Sequence, residues 1–203
     1  DVKTGDIKKL LKWQWVTDIK KRHNFEAIKK IERKRKTFVK VEGLDPANNE
    51  GGTKSRECTL ILVEGLSAKT YAVRGIQSGL DGKKGRDWFG IYPLRGKVLN
   101  VRNSKINTIV KNNVVSDIIK TLGIRSGIDY SSDENFNTLR YGRIMIITDA
   151  DVDGIHITGL IHNLFHTLFP TVFERKEPFI LSMQTPIVRV VTNRRNILFY
   201  DER

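Results

Sequence analysis

Cysteine is nearly missing from these 203 residues, with Cys58 standing alone. An internal disulfide is therefore excluded, and the usage suits a reducing compartment. Long apolar runs are missing too. None approaches the ~20 residues that cross a bilayer, and the N-terminus lacks the apolar centre of a secretory signal. Neither membrane insertion nor secretion is expected. Acidic residues are also scarce: 36 Lys and Arg face 23 Asp and Glu, a net charge of +13. That balance favours an anionic partner, with nucleic acid the first candidate.

The basic excess is uneven. Residues 1–40 hold 14 Lys and Arg against 5 Asp and Glu, so the rest of the chain is only mildly basic. With 39% apolar residues, the chain can bury one good core and carry an appendage, but not two full-sized domains. Asp1 is no initiator and the closing residues run on from a strand, so an excised fragment is expected.

Three regions follow: a basic helical segment over 1–40, a linker-like stretch over 41–56 and a compact domain over 57–203. In the first, Ile7, Leu10, Leu11, Val16, Ile19, Ile28 and Ile31 recur at helical spacing. Trp13 and Trp15 suggest a docking face, and Arg33 to Lys36 read equally as a DNA contact, a localisation patch or a solvated helix end. Asp45-Pro46 and Gly51-Gly52 mark the second region.

In the third region, apolar runs at 58–63, 88–92, 143–148 and 179–183 read as buried strands. Helices are expected from about Ser67, from a Ser104 cap to Gly123 with a break near Asn112-Asn113, and from Gly154 to Phe169 before Pro170. Residues 187–191 and 196–200 read as a terminal hairpin. Strand–helix alternation implies an α/β fold: a Rossmann-like, parallel four-stranded sheet flanked by helices, with right-handed crossovers. Such sheets bind ligands beyond the carboxyl ends of their strands.

Acidic residues lie at those ends. Glu64 follows the first strand, and Asp149, Asp151 and Asp153 follow the third. Period-two alternation in an extended segment would face the three aspartates one way. Carboxylates converging there repel one another unless a proton or a divalent cation intervenes. An all-oxygen set with no His or Cys among it suits Mg²⁺. Asp149-x-Asp151-x-Asp153-Gly154 also opens like an EF-hand calcium loop, but the twelfth position is Leu160 and a strand precedes it. A phosphatase-type Asp-x-Asp strand would need further motifs downstream, where only 50 residues remain. Asp153 alone could be the cap of a helix at Gly154. His162 and His166 have the spacing of zinc ligands but no third partner, so packing is the better reading.

Three stretches carry a resemblance: Glu64-Gly65-Leu66-Ser67-Ala68-Lys69, Pro93-Leu94-Arg95-Gly96-Lys97-Val98-Leu99-Asn100, and Asp149-Ala150-Asp151-Val152-Asp153-Gly154-Ile155-His156. In this order they resemble the signatures of the Toprim domain of type IIA DNA topoisomerases. Arg56 to Leu62 and Thr138 to Gly142 look like the eukaryotic branch. The likeness covers about residues 45–200, and the segment before it resembles the end of the transducer region. Two positions depart from the family: Leu66 stands where Asp is usual, and Ile155 where Ser is usual. The Asp149 to Asp153 wording is nearer to bacterial gyrase, and such a mixture fits a divergent or viral enzyme.

The resemblance implies that Glu64, Asp149 and Asp151 are catalytic, holding one or two Mg²⁺ ions with Asp153 as a further ligand. Whether Glu64 also exchanges a proton with the DNA 3′ oxygen stays open. Arg95, Lys97 and Asn100 would position the DNA backbone, with Lys69 and His156 as weaker candidates. The implied partners are double-stranded DNA, a second copy in the full-length homodimer, and winged-helix and ATPase domains of the same protein. ATP would be bound only outside these residues, and the cutting tyrosine would also lie outside. The expected location is inside the cell with the DNA served: the nucleus for a cellular enzyme, host cytoplasm or nucleus for a viral one. Leu66 keeps an alternative open, a non-catalytic DNA- or partner-binding module that retains the fold.

Overall fold

Four apolar runs become the central strands β1 (Thr59–Glu64), β2 (Phe89–Leu94), β3 (Arg143–Ile147) and β4 (Ile180–Met183). All pair in parallel, in the order β2-β1-β3-β4. The computed structural model describes residues 40–95, 98–183, 186–192 and 195–200, with isolated helical positions at 18, 19, 22 and 26. The remaining residues before 40, where a helical segment was expected, together with Gly96, Lys97, Gln184, Thr185, Asn193, Arg194 and residues 201–203, lie outside the described residues.

Successive residues of β1 serve opposite faces of the sheet, as a strand's geometry requires. Leu60 and Leu62 join the larger core, with Tyr92, Ile144 and Ile146. Ile61 and Val63 join the smaller core, with Ile91 and Ile147. Helix α1 (Gly65–Ser78) covers the smaller core through Ala72 and Ile76. The larger core is covered by α2 (Ile106–Lys111), α3 (Asn113–Leu122), the short α4 (Asp133–Phe136) and α5 (Val152–Leu168). Pro93 is tolerated within β2 because that strand lies at the sheet edge. The hairpin expected at the end is β5 (Val188–Val191) with β6 (Asn196–Phe199), antiparallel and separate from the main sheet. Among the described residues no helix is long and apolar enough to cross a membrane.

Some details differ from the expectation. Asn112 breaks the helical stretch as anticipated and caps α3, its Oδ1 accepting the Val115 N–H at 3.0 Å. Ser104 does not cap α2; Lys105 holds that N-cap position, while Ser104 closes the preceding 3-10 turn and its Oγ donates to Asn100 O at 2.6 Å. Residues 41–56 are packed onto the domain, with Val41, Ala47 and Ser55 buried. Asp45 and Ile91 exchange backbone hydrogen bonds at 2.9 and 2.8 Å. Glu50 pairs with Arg140 at 2.7 Å in a buried ion pair, and Tyr141 Oη accepts the Ala47 N–H at 3.1 Å. The turn residues here bend the chain around the domain.

Candidate functional site

From β1 the chain crosses to β2 on one side, and β3 is then added on the other side of β1. The carboxyl ends of β1 and β3 therefore flank the point where the sheet order reverses, the place where open α/β sheets form their crevice. Glu64 is the last residue of β1, and Asp149 lies two residues beyond the end of β3.

Gly65 turns the chain from β1 into α1 with a φ of +78°, a conformation that disfavours side-chain-bearing residues. Helix α5 opens at Val152, two residues before the expected Gly154, and its N-cap is Asp151, whose Oδ1 accepts the Gly154 N–H at 2.8 Å. Gly154 lets the helix start close to the strand end, because a Cβ there would collide with the Asp149 carbonyl oxygen. The extended stretch assumed for the aspartates thus ends at Asp151. Asp153 lies in the first helical turn, so strand-like alternation does not carry to it.

Burial pushes the Glu64 carboxyl above its ordinary value of 4.5, and the charges of Asp149, Asp151 and Asp153 push the same way. The backbone hydrogen bond from Asp149 opposes them. Glu64 Oε2 is buried without a hydrogen-bond partner, while the three aspartates are exposed. Among the described residues no group of three or more Asp, Glu, His or Cys is assembled as a ready metal cage. The arrangement is an orphaned carboxylate oxygen whose charge is disfavoured by the three acids that follow β3. It fits a hard cation that takes one or two carboxylates and keeps its waters, as Mg²⁺ does.

The expected phosphate-binding residues have partners within the domain. Arg95, directly after β2, pairs with Glu42 at 2.5 Å. Lys69 Nζ, on α1, pairs with Asp45 Oδ2 and donates to Gly43 O, both at 2.9 Å. Asn100 Oδ1 accepts from Arg102 N and from Asn163 Nδ2, each at 3.1 Å, tying the second motif to α5. His156 is exposed on α5, and Lys97 lies outside the described residues. Leu66 and Ile155 are also exposed. The tie of residues 42–45 to Arg95 and Lys69 was missed by sequence reasoning. Its only signal was Val41, Leu44 and Ala47 recurring at threes within the supposed linker.

His162 and His166 flank Phe173, with ring centroids 6.4 and 6.2 Å away, and burial lowers the His162 pKa. Packing accounts for both. Of the tyrosines, Tyr92, Tyr130 and Tyr141 are buried. Burial, and then the charge of Asp117 or Glu50, holds the Tyr92 and Tyr141 phenols above their ordinary range. Tyr71 and Tyr200 are exposed.

Comparison with known proteins bears on the family and the fold. A family model described as the Toprim domain matches residues 59–178. The chain is 45% identical to DNA topoisomerase 2 of Invertebrate iridescent virus 6, over 96% of this chain and 19% of that protein. It is 41% identical to DNA topoisomerase 2-alpha of Mus musculus, over 97% of this chain and 12% of that protein. Its fold is similar to the crystal structure of the Plasmodium falciparum topoisomerase II DNA-binding, cleavage and re-ligation domain. That likeness has a TM-score of 0.69 at 35% identity and covers 82% of this chain and 22% of that one. The chain thus spans less than a fifth of the curated relatives it resembles. With the matching family model and a similar solved fold, this chain belongs to the Toprim domain family, in the form that DNA topoisomerase 2 carries.

Proposed function

We propose that this chain is the magnesium-binding part of an ATP-dependent type II DNA topoisomerase, positioning the scissile phosphate during transient double-strand cleavage and religation. The observation that carries the reading is the buried, unpartnered Glu64 Oε2 beside the acids that follow β3. Glu64 and Asp149 would hold the ion, with Asp151 as a third ligand and Asp153 as a further or second-ion ligand. Bound there, magnesium offsets the negative charge that builds on the phosphoryl and leaving 3′ oxygens.

The residues themselves do the rest. Glu64, at the end of β1, would meet the ion as a carboxylate, and without the ion its burial and the neighbouring aspartates favour the protonated form. Arg95 and Lys97 contact backbone phosphates, which fixes register without reading bases. Asn100 holds the loop between them and α5. Lys69 and His156, the last residues of the first and third motifs, are the weaker candidates for backbone contacts, Lys69 being already engaged with Asp45 and Gly43 O. The nucleophilic tyrosine and the ATP site belong to winged-helix and ATPase domains outside these residues, in a homodimer that acts inside the cell on double-stranded DNA.

The test is made in the whole enzyme. Glu64→Ala and Asp149→Ala should each abolish magnesium-dependent DNA cleavage while leaving DNA binding largely intact. Normal cutting by both variants would overturn the proposal and favour a binding module without catalysis.

A further inference from the structure

Arg95 already has an anion at its guanidinium. Its Nη1 donates to Glu42 Oε1 at 2.5 Å. The guanidinium also lies against the Gly43 backbone, where a Cβ would come within 3.2 to 3.3 Å of Nη2, Cζ and Nε. We propose that the Glu42 carboxylate stands in for a DNA phosphate at Arg95 and so limits how tightly this edge of the domain holds DNA. The inference rests on the DNA-backbone role assigned to Arg95 above.

Carboxylate and phosphate engage the same fork of guanidinium donors, so the two compete for one site. The pair is placed for such an exchange. Arg95 directly follows Leu94, the β2 residue in register with Glu64, so it stands at the sheet edge that carries the acidic site. The Glu42 side chain is 87% exposed and that of Arg95 46%. An ion pair this open is worth little, and an incoming phosphate can displace it at small cost. A phosphate that binds without displacing it meets a carboxylate well inside the screening distance of ~10 Å at 0.1 M salt.

The turn that presents Glu42 is held in place without it. Asp45 is bridged to Ile91 by two backbone hydrogen bonds. Lys69 grips Gly43 O and Asp45 Oδ2. Val41 is buried, and Gly43 takes a φ of +80° that suits glycine. The carboxylate is thus presented by a fixed turn, and removing its charge leaves that turn anchored.

The experiment measures binding of a fluorescent DNA duplex to the 203-residue chain by anisotropy, for the parent, Glu42→Gln, Arg95→Ala and the double variant. Glu42→Gln should bind about two- to fivefold more tightly at low salt. This gain should vanish in the Arg95→Ala background and shrink as salt rises. An equal gain in both backgrounds would reduce the effect to general charge and overturn the inference. So would no gain where Arg95→Ala alone weakens binding, an outcome that leaves the role of Arg95 standing. Undiminished binding by Arg95→Ala, or no duplex binding by the parent, would remove the DNA-backbone role and this inference with it.

Discussion

Asp151 Oδ1 accepts the backbone N–H of Gly154 at 2.8 Å, which makes the middle aspartate of the acidic run the N-cap of α5. One carboxylate oxygen orders the helix start, and under the proposed function the same side chain would also serve a cation. The partial positive charge of the helix N-terminus also eases the crowding of negative charge.

Separate substitutions divide these two duties. Asp151→Asn keeps a capping oxygen, whereas Asp151→Ala removes it and should cost about 0.5–2 kcal/mol. Both should weaken magnesium binding, but only the alanine variant should lose stability in urea denaturation. Equal stability loss in the two would separate the cap from the Asp151 side chain.

The approach of α5 to the end of β3 makes Gly154 the sensitive glycine of that helix. A Cβ at Gly154 meets the Asp149 carbonyl, while one at Gly159 meets nothing within 4 Å. Gly154→Ala should cost about 1–3 kcal/mol in denaturant unfolding, from overpacking against backbone. Gly159→Ala should gain up to about 1 kcal/mol from helix propensity.

These elements show what sequence could reveal. The central strands were legible because each is a short apolar run, nearly all buried in β1 and β2, and Glu64 and the aspartates were legible because they stand at or just beyond the ends of such runs. The start of α5 was hidden by Val152, an exposed β-branched residue, and by Asp153, a plausible cap for a helix opening at Gly154, whose small size is what the contact with Asp149 demands. Ser104 was a plausible cap by residue type, but its hydroxyl serves the preceding turn. The ties from Glu42 to Arg95 and from Asp45 to Lys69 join residues 53 and 24 positions apart. Local spacing hinted only that residues 41–47 pack, not which residues they meet.

Cys58 gives a pH-dependent check on the core. Burial, with a smaller push from the charge of Glu50, raises its thiol from 9.0 to about 11, while Lys83 opposes. The folded state keeps a proton that the unfolded chain releases above pH 9.0, so this contribution to stability is present below pH 9.0 and lost as pH rises to about 11. Unfolding measured across that window should show a steeper loss for the parent than for Cys58→Ala. Alkylation at pH 8 should be slow in the folded protein and fast after denaturation.

Calorimetric titration of magnesium into the 203-residue chain, alongside Glu64→Gln and Asp149→Asn, tests most directly whether the ends of β1 and β3 share a cation. Both substitutions should weaken binding by about tenfold or more. Parent-like affinity in both variants would contradict the account.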